Sequence, residues 1–181
     1  FKRFKQEYEI FNMLNHPSIL KTYGMFFGCE NSPPSVLLEY CPSSISQMIK
    51  NNAYSHAKLV CSIYEIAEGM RYIHSKKVIH CDLKPANILI SADGKIRNSD
   101  FGISKLIQPG ASISSLQGTI KFSAPEIIRE GKNYTEKVDV YSFGVLLFFL
   151  LDSGNMPNIN IIQIASGKKA EIPSSFTLAG I

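Results

Sequence analysis

The chain lacks the features that would place it in several large classes. Its four cysteines, Cys29, Cys41, Cys61 and Cys81, form no C-x-x-C pair. Neither a zinc site nor a disulfide framework is indicated, and a reducing, cytoplasmic setting is favoured. The N-terminus, Phe1-Lys2-Arg3-Phe4-Lys5, has no apolar core of the signal-peptide kind. No apolar run reaches the ~20 residues that a bilayer crossing requires. The most apolar run, Val140 to Leu151, reads as a buried helix, so no membrane segment is expected in this chain. The net charge of +4 is modest and scattered. Lys76-Lys77 and Lys168-Lys169 are doublets rather than a patch, which argues against nucleic acid as a partner. No G-x-G-x-x-G phosphate loop occurs, and the first glycine is Gly24.

What is present centres on one stretch, Val78 to Ile90. Val78 and Ile79 lead in and Ile88, Leu89 and Ile90 lead out, as two short buried strands, while Pro85 forbids a helix between them. A loop tied at both ends to the core is a rigid mount for Asp82, Lys84 and Asn87. Upstream, Phe4, Phe11 and Leu14 recur at helical spacing with Glu7 on the same stripe, and His16-Pro17 ends that helix. Tyr23 to Cys29 and Val36 to Tyr40 read as strands joined by the turn 31–34. Leu59, Ile63, Ile66, Met70 and Ile73 predict an amphipathic helix from about His56 to Ser75. Downstream, a polar loop from Leu106 to Gln117 carries Ser112, Ser114 and Ser115. Thr135 is the expected N-cap of the long apolar helix, and Asn155 to Ser166 is read as a further short one.

The eight residues His80-Cys81-Asp82-Leu83-Lys84-Pro85-Ala86-Asn87 resemble the protein-kinase catalytic loop, H-R-D-L-x-x-x-N, with Cys81 in the arginine place. Asp100-Phe101-Gly102 is similar to the kinase D-F-G, and Ala124-Pro125-Glu126 to the A-P-E that closes the activation segment. The resemblance implies an α+β, protein-kinase-like fold, truncated to part of the small β-rich N-lobe (1–40) and most of the mainly helical C-lobe (41–181). It runs from the helix bearing the family's ion-pairing glutamate, here Glu7, to the short helix after the long apolar one. The family's glycine-rich loop, its strand lysine and its last helices have no counterpart, so this stretch alone is expected to have little activity.

The implied function is a serine/threonine protein kinase, closest to the tyrosine-kinase-like group. It would transfer the ATP γ-phosphate to protein substrates in intracellular signalling, with Mg²⁺ as metal. The alternative is an inactive, pseudokinase-like binding scaffold. By resemblance, Asp82 is the catalytic base, Lys84 neutralises charge, and Asn87 and Asp100 hold the metal. Leu38, Glu39, Cys41 and Leu89 would line the nucleotide site. His80, Phe101 and Phe11 would stack in a packed column whose fourth position is Thr22, and Asp139 would bond the catalytic-loop backbone. Thr119 belongs to the segment before Glu126. Because Cys81 replaces an arginine, a phosphate on Ser112, Ser114 or Ser115 would find no bidentate partner there, and activity should depend weakly on such a phosphate.

Overall fold

The computed structural model describes residues 2–30, 32–53, 55–101, 104–106, 120–129 and 135–171. Its central strut is the helix α3 (His56–Ser75), opened by Ser55, whose side chain accepts from Lys58 N–H. The apolar stripe of α3 falls every third or fourth residue, so one face is buried: Ile66, Met70 and Ile73 are in the core, with Leu59 and Ile63 packed against it. The same cluster takes Ile10, Phe11 and Leu14 from the end of α1 (Lys2–Met13) and the segment after it. It also takes Leu146 and Leu150 from α5 (Lys137–Leu151). A smaller cluster, Ile79, Cys81, Ala124 and Val138, sits beside it.

Among the described residues the strands form three small sheets. β1 (Thr22–Phe26) and β2 (Ser35–Leu38) make an antiparallel hairpin. In the second sheet β5 (Ile88–Ile90) lies between β3 (Ser43–Ser44) and β6 (Ile96–Asn98), antiparallel to both. The third pairs β4 (Val78–Ile79) with β7 (Lys105–Leu106). The short helix α2 (Ile45–Lys50) follows β3 and is opened by a capping box between Ser44 and Gln47. α4 (Pro125–Ile128) and α6 (Ile161–Ala165) flank α5 in the sequence.

Three boundaries differ from the sequence reading. The hairpin strands are shorter than 23–29 and 36–40, because Gly28 turns the chain at φ +88° and Cys29 and Ser32 exchange backbone hydrogen bonds. A Cβ at Gly28 would stand 2.8 Å from Ser32 O, so only glycine makes this turn without movement. α5 begins at Lys137 rather than directly after Thr135, although the Thr135 hydroxyl still accepts Lys137 N–H. The helix expected over 155–166 is confined to α6, which starts where Asn160 and Gln163 close a capping box beyond Pro157.

The first helix is tied to the rest through the segment that follows it. Asn98 N–H donates to Ser18 O at 2.8 Å and Leu20 N–H to Asn98 O at 3.0 Å. Asn98 Nδ2 adds a bond to the same Ser18 carbonyl at 2.9 Å. His16 stacks on Tyr72 of α3 with centroids 4.9 Å apart, and Tyr72 OH accepts Asn15 N–H. This approach needs Gly69: an added Cβ would lie 2.1 Å from Asn98 Nδ2 and 3.1 Å from Ser18 O. Gly69→Ala gains about 1 kcal/mol of helix propensity, but overpacking at a rigid backbone contact costs about 1–3 kcal/mol and the displaced amide bond about 1 kcal/mol more. A net loss of about 1–3 kcal/mol in urea unfolding is expected, and a variant as stable as the parent would show that the contact yields freely.

Candidate active site

The loop between β4 and β5 is built from the backbone outward. Asp139, on the first turn of α5, is wholly buried, and its carboxylate accepts His80 N–H at 2.8 Å (Oδ2) and Cys81 N–H at 2.9 Å (Oδ1). His74 at the end of α3 meets the same carboxylate, Nε2 to Oδ2, at 2.8 Å. Between these anchors Cys81 adopts φ +66°, a left-handed conformation that costs a side-chain-bearing residue about 1–3 kcal/mol. The two amide bonds to Asp139 hold it there. The turn points the next residue, Asp82, away from the core, and Asp82 is only half-buried.

His80 is fully buried, and its tautomer follows from its neighbours. Nδ1 lies 3.2 Å from Asp82 N–H, which can only donate, and Nε2 lies 3.0 Å from Ser99 O, which can only accept. The ring hydrogen is therefore on Nε2. The ring stands 5.1 Å from Phe101, which in turn meets Phe11 edge-on at 5.1 Å and 82°. Three rings from three separate segments thus form one column. Thr22 starts β1, with its hydroxyl 3.4 Å from Leu37 O.

The polar residues converge just outside that column. Lys84 Nζ lies 2.6 Å from Asp82 Oδ2, and Asn87 Nδ2 donates to the same oxygen at 3.0 Å and to Asp82 O at 2.9 Å. Asn87 is held on a single 3-10 turn (Pro85–Asn87), and its carbonyl accepts from both the amide and the hydroxyl of Ser99. This bond ties the loop to the segment carrying Asp100, which is exposed and left-handed at φ +64°. Its successor Phe101 is buried, so the chain reverses between a solvent-facing carboxylate and a core ring.

Residues 2–172 match the protein kinase domain. The chain belongs to the protein kinase family. Its kinase domain is 40% identical over 156 residues to the mitogen-activated protein kinase kinase kinase dlk-1 of Caenorhabditis briggsae, covering 84% of this chain and 18% of that protein. It is 36% identical to Aurora kinase A-B of Xenopus laevis, over 82% of this chain and 36% of the relative. It is 37% identical to the serine/threonine-protein kinase PEPKR2 of Arabidopsis thaliana, over 84% and 32%. The chain therefore spans well under half the length of these relatives. Among solved structures, a chain of the yeast RNA Pol II CTD kinase CTDK-1 complex superposes with a TM-score of 0.81 at 22% identity, over 92% of this chain and 55% of that one.

The kinase domain places the other sequence-predicted residues as follows. Leu38 ends β2 and Leu89 lies in the middle of β5; both are half-buried against the main cluster, as is Cys41. Glu7 belongs to α1, and Glu126 opens α4. Thr119, Gly102 and the serines at 112, 114 and 115 lie outside the described residues. Cys81 is buried against Ile79, Ala124 and Val138, so an apolar cluster occupies the place beside Asp82. Burial, reinforced by the Glu39 carboxylate, pushes the Cys41 thiol up from its ordinary range. Cys41 should therefore alkylate with iodoacetamide at pH 8 several-fold more slowly than the exposed Cys29 and Cys61. Equal rates by peptide mass spectrometry would contradict that assignment.

Two participants escaped the sequence reading. Arg97 on β6 grips Glu39 with Nε, 3.1 Å from Oε1 and 2.9 Å from Oε2, and both side chains are largely buried. Nothing local in the sequence pairs Glu39 with a residue 58 positions away. His74 likewise looks like an ordinary last-turn histidine until α5 brings Asp139 against it.

Proposed function

We propose that this kinase domain carries the catalytic centre of an ATP-dependent serine/threonine protein kinase. The observation that carries the reading is the held carboxylate of Asp82. Lys84 and Asn87 fix one oxygen, the His80 ring fixes the backbone amide, and Asp139 fixes the two residues before it. A carboxylate so constrained can orient a substrate hydroxyl and take its proton as the oxygen attacks. Lys84, already beside it, places positive charge where the transferred group gains negative charge.

The donor set fits a magnesium ion. Asn87 spends its amide nitrogen on Asp82, which turns its carbonyl oxygen Oδ1 the other way, and the Asp100 carboxylate is presented to solvent. Hard amide and carboxylate oxygens of this kind suit that cation. When bound with ATP, the ion neutralises phosphate charge. The residues named do the rest, holding the donors on a 3-10 turn and a strained backbone. Leu38, Glu39, Cys41 and Leu89 are assigned to the adenine side, and Glu126 and Thr119 to the segment that faces the substrate. The division into an N-lobe remainder over 1–40 and a C-lobe over 41–181 belongs to the same reading. It is supported by the separate β1–β2 hairpin. Serine/threonine rather than tyrosine specificity is supported by Lys84, two residues after Asp82, and by relatives bearing that name.

The test is Asp100→Ala in the full-length protein. Its exposed side chain leaves the core untouched, so the melting temperature should hold while Mg²⁺-dependent phosphoryl transfer falls to background. Undiminished transfer would remove Asp100 from the site. A parent protein with no transfer at all, yet specific binding of a protein partner, would favour the scaffold reading.

A further inference from the structure

One side chain, Arg97, joins the segment after β2 to the strand that leads into Asp100. Its guanidinium divides its nitrogens among three partners. Nε donates to both oxygens of Glu39, at 3.1 and 2.9 Å, Nη1 donates to Ile96 O at 3.2 Å, and Nη2 lies 3.9 Å from Asp93 Oδ1. The side chains of Arg97 and Glu39 are only 15% and 18% exposed, so water and salt screen the pair poorly. Glu39 is held a second time by the start of the hairpin. Its N–H donates to Lys21 O at 2.8 Å, and Lys21 N–H lies 3.4 Å from its Oε2. Amide and carboxylate are thus committed, and none of these bonds uses the Glu39 carbonyl. Within the β5–β6 ladder Arg97 stands opposite Leu89. Two residues on, Ser99 bonds Asn87 O through both its amide and its hydroxyl. One strand therefore grips Glu39 at one end and carries the candidate metal donors at the other.

We infer that Arg97 is a positioning residue for the nucleotide: by holding the Glu39 side chain it fixes the Glu39 carbonyl, and with it the preference for adenine over guanine. The inference rests on the assignment of Glu39 to the adenine side. At its six-position adenine carries an amino group, which donates, and guanine an oxygen, which only accepts. A carbonyl kept in one orientation pairs with the first and repels the second. With the carboxylate released, the Glu39–Tyr40 peptide is free to turn and offer Tyr40 N–H in place of the carbonyl. The discrimination then falls, because the group that makes it is no longer held by its support.

Titration of the full-length protein with N-methylanthraniloyl-ATP and the corresponding GTP, followed by fluorescence, reads the preference without turnover. The parent should favour the ATP form by about tenfold or more. Arg97→Met, similar in length but uncharged, should weaken the ATP form by about tenfold and bring the two nucleotides to within about threefold of each other. With a protein substrate the same change should appear in KM for ATP rather than in kcat. Arg97→Lys keeps the charge but not the planar group that serves three partners, and should fall between. A merely structural role would lower the melting temperature and weaken both nucleotides alike, leaving their ratio unchanged. If Arg97→Met unfolds because it strands the Glu39 carboxylate, Glu39→Leu with Arg97→Met removes both charges and takes its place. That double variant should melt with the parent and still lose the preference. A folded variant of either kind that keeps the parent's preference overturns the inference and leaves the adenine-side assignment standing. A parent indifferent to the two nucleotides, or binding neither, overturns that assignment and the inference with it.

Discussion

Asp82→Asn in the full-length protein should lower the turnover of a protein substrate by about 10²–10⁴-fold, about 2.7–5.5 kcal/mol of transition-state stabilisation. The fold and nucleotide affinity should be retained. An asparagine keeps an oxygen for Lys84 Nζ and for Asn87 Nδ2, now 2.6 and 3.0 Å from Asp82 Oδ2, so the loop has little reason to rearrange. What is lost is a group able to take the substrate proton. The loss should fall on kcat, with KM for ATP little changed, because the side chain acts on the hydroxyl and not on the nucleotide. Turnover within threefold of the parent would show that Asp82 only positions its neighbours.

The largest effect on stability is expected at Asp139. Its buried carboxylate satisfies His80 N–H, Cys81 N–H and His74 Nε2 together, and all three contacts are 2.8 or 2.9 Å. Asp139→Ala strands two buried amides and removes the restraint on the left-handed Cys81, a loss of about 3–5 kcal/mol. At about 2–4 °C per kcal/mol for a chain of this size, the melting temperature should drop by roughly 6–20 °C. Asp139→Asn is the sharper experiment. It has the same volume but one acceptor oxygen, so an NH₂ group must face one of two backbone N–H donors. It should lose most of what alanine loses, and it should reduce turnover through Asp82. An asparagine variant within 1 kcal/mol of the parent would mean that the volume, not the paired acceptance, holds the loop.

The parts of this fold that were legible in the sequence are those set by local periodicity or by a contiguous motif. The stripe through Leu59, Ile63, Ile66, Met70 and Ile73 has a single helical solution, and α3 spans the predicted His56 to Ser75. The loop from His80 to Asn87 was visible because its polar residues are consecutive and its flanks are β-branched. Strand ends were less legible, since Gly28 sets them through a turn whose partner, Ser32, lies across the loop. Side-chain pairings across the chain were not legible at all. The pairing of Arg97 with Glu39 joins residues 58 positions apart and leaves no local pattern. The requirement for glycine at position 69 likewise arises only where Asn98 is laid against α3. The left-handed Cys81 carries no mark in the sequence, because the residue that enforces it, Asp139, is 58 positions away.

The bonds between Ser18 and Asn98 also bear on the order in which the chain folds. They join residues 80 positions apart, whereas the β5–β6 ladder closes within a dozen, Ile88 opposite Asn98. Closing the longer loop costs more chain entropy, and that cost must be met before the contact returns anything. The segment 14–20 can be gripped only once β6 exists and Gly69 has been placed on a formed helix, because Asn98 supplies the donor and the acceptor and α3 supplies the seat. Docking of α1 is therefore expected to be a late event, which low φ-values for substitutions at Phe11 and Ile10 would bear out. On that expectation the ring of Phe11 joins the column after His80 and Phe101, whose elements Ser99 already links.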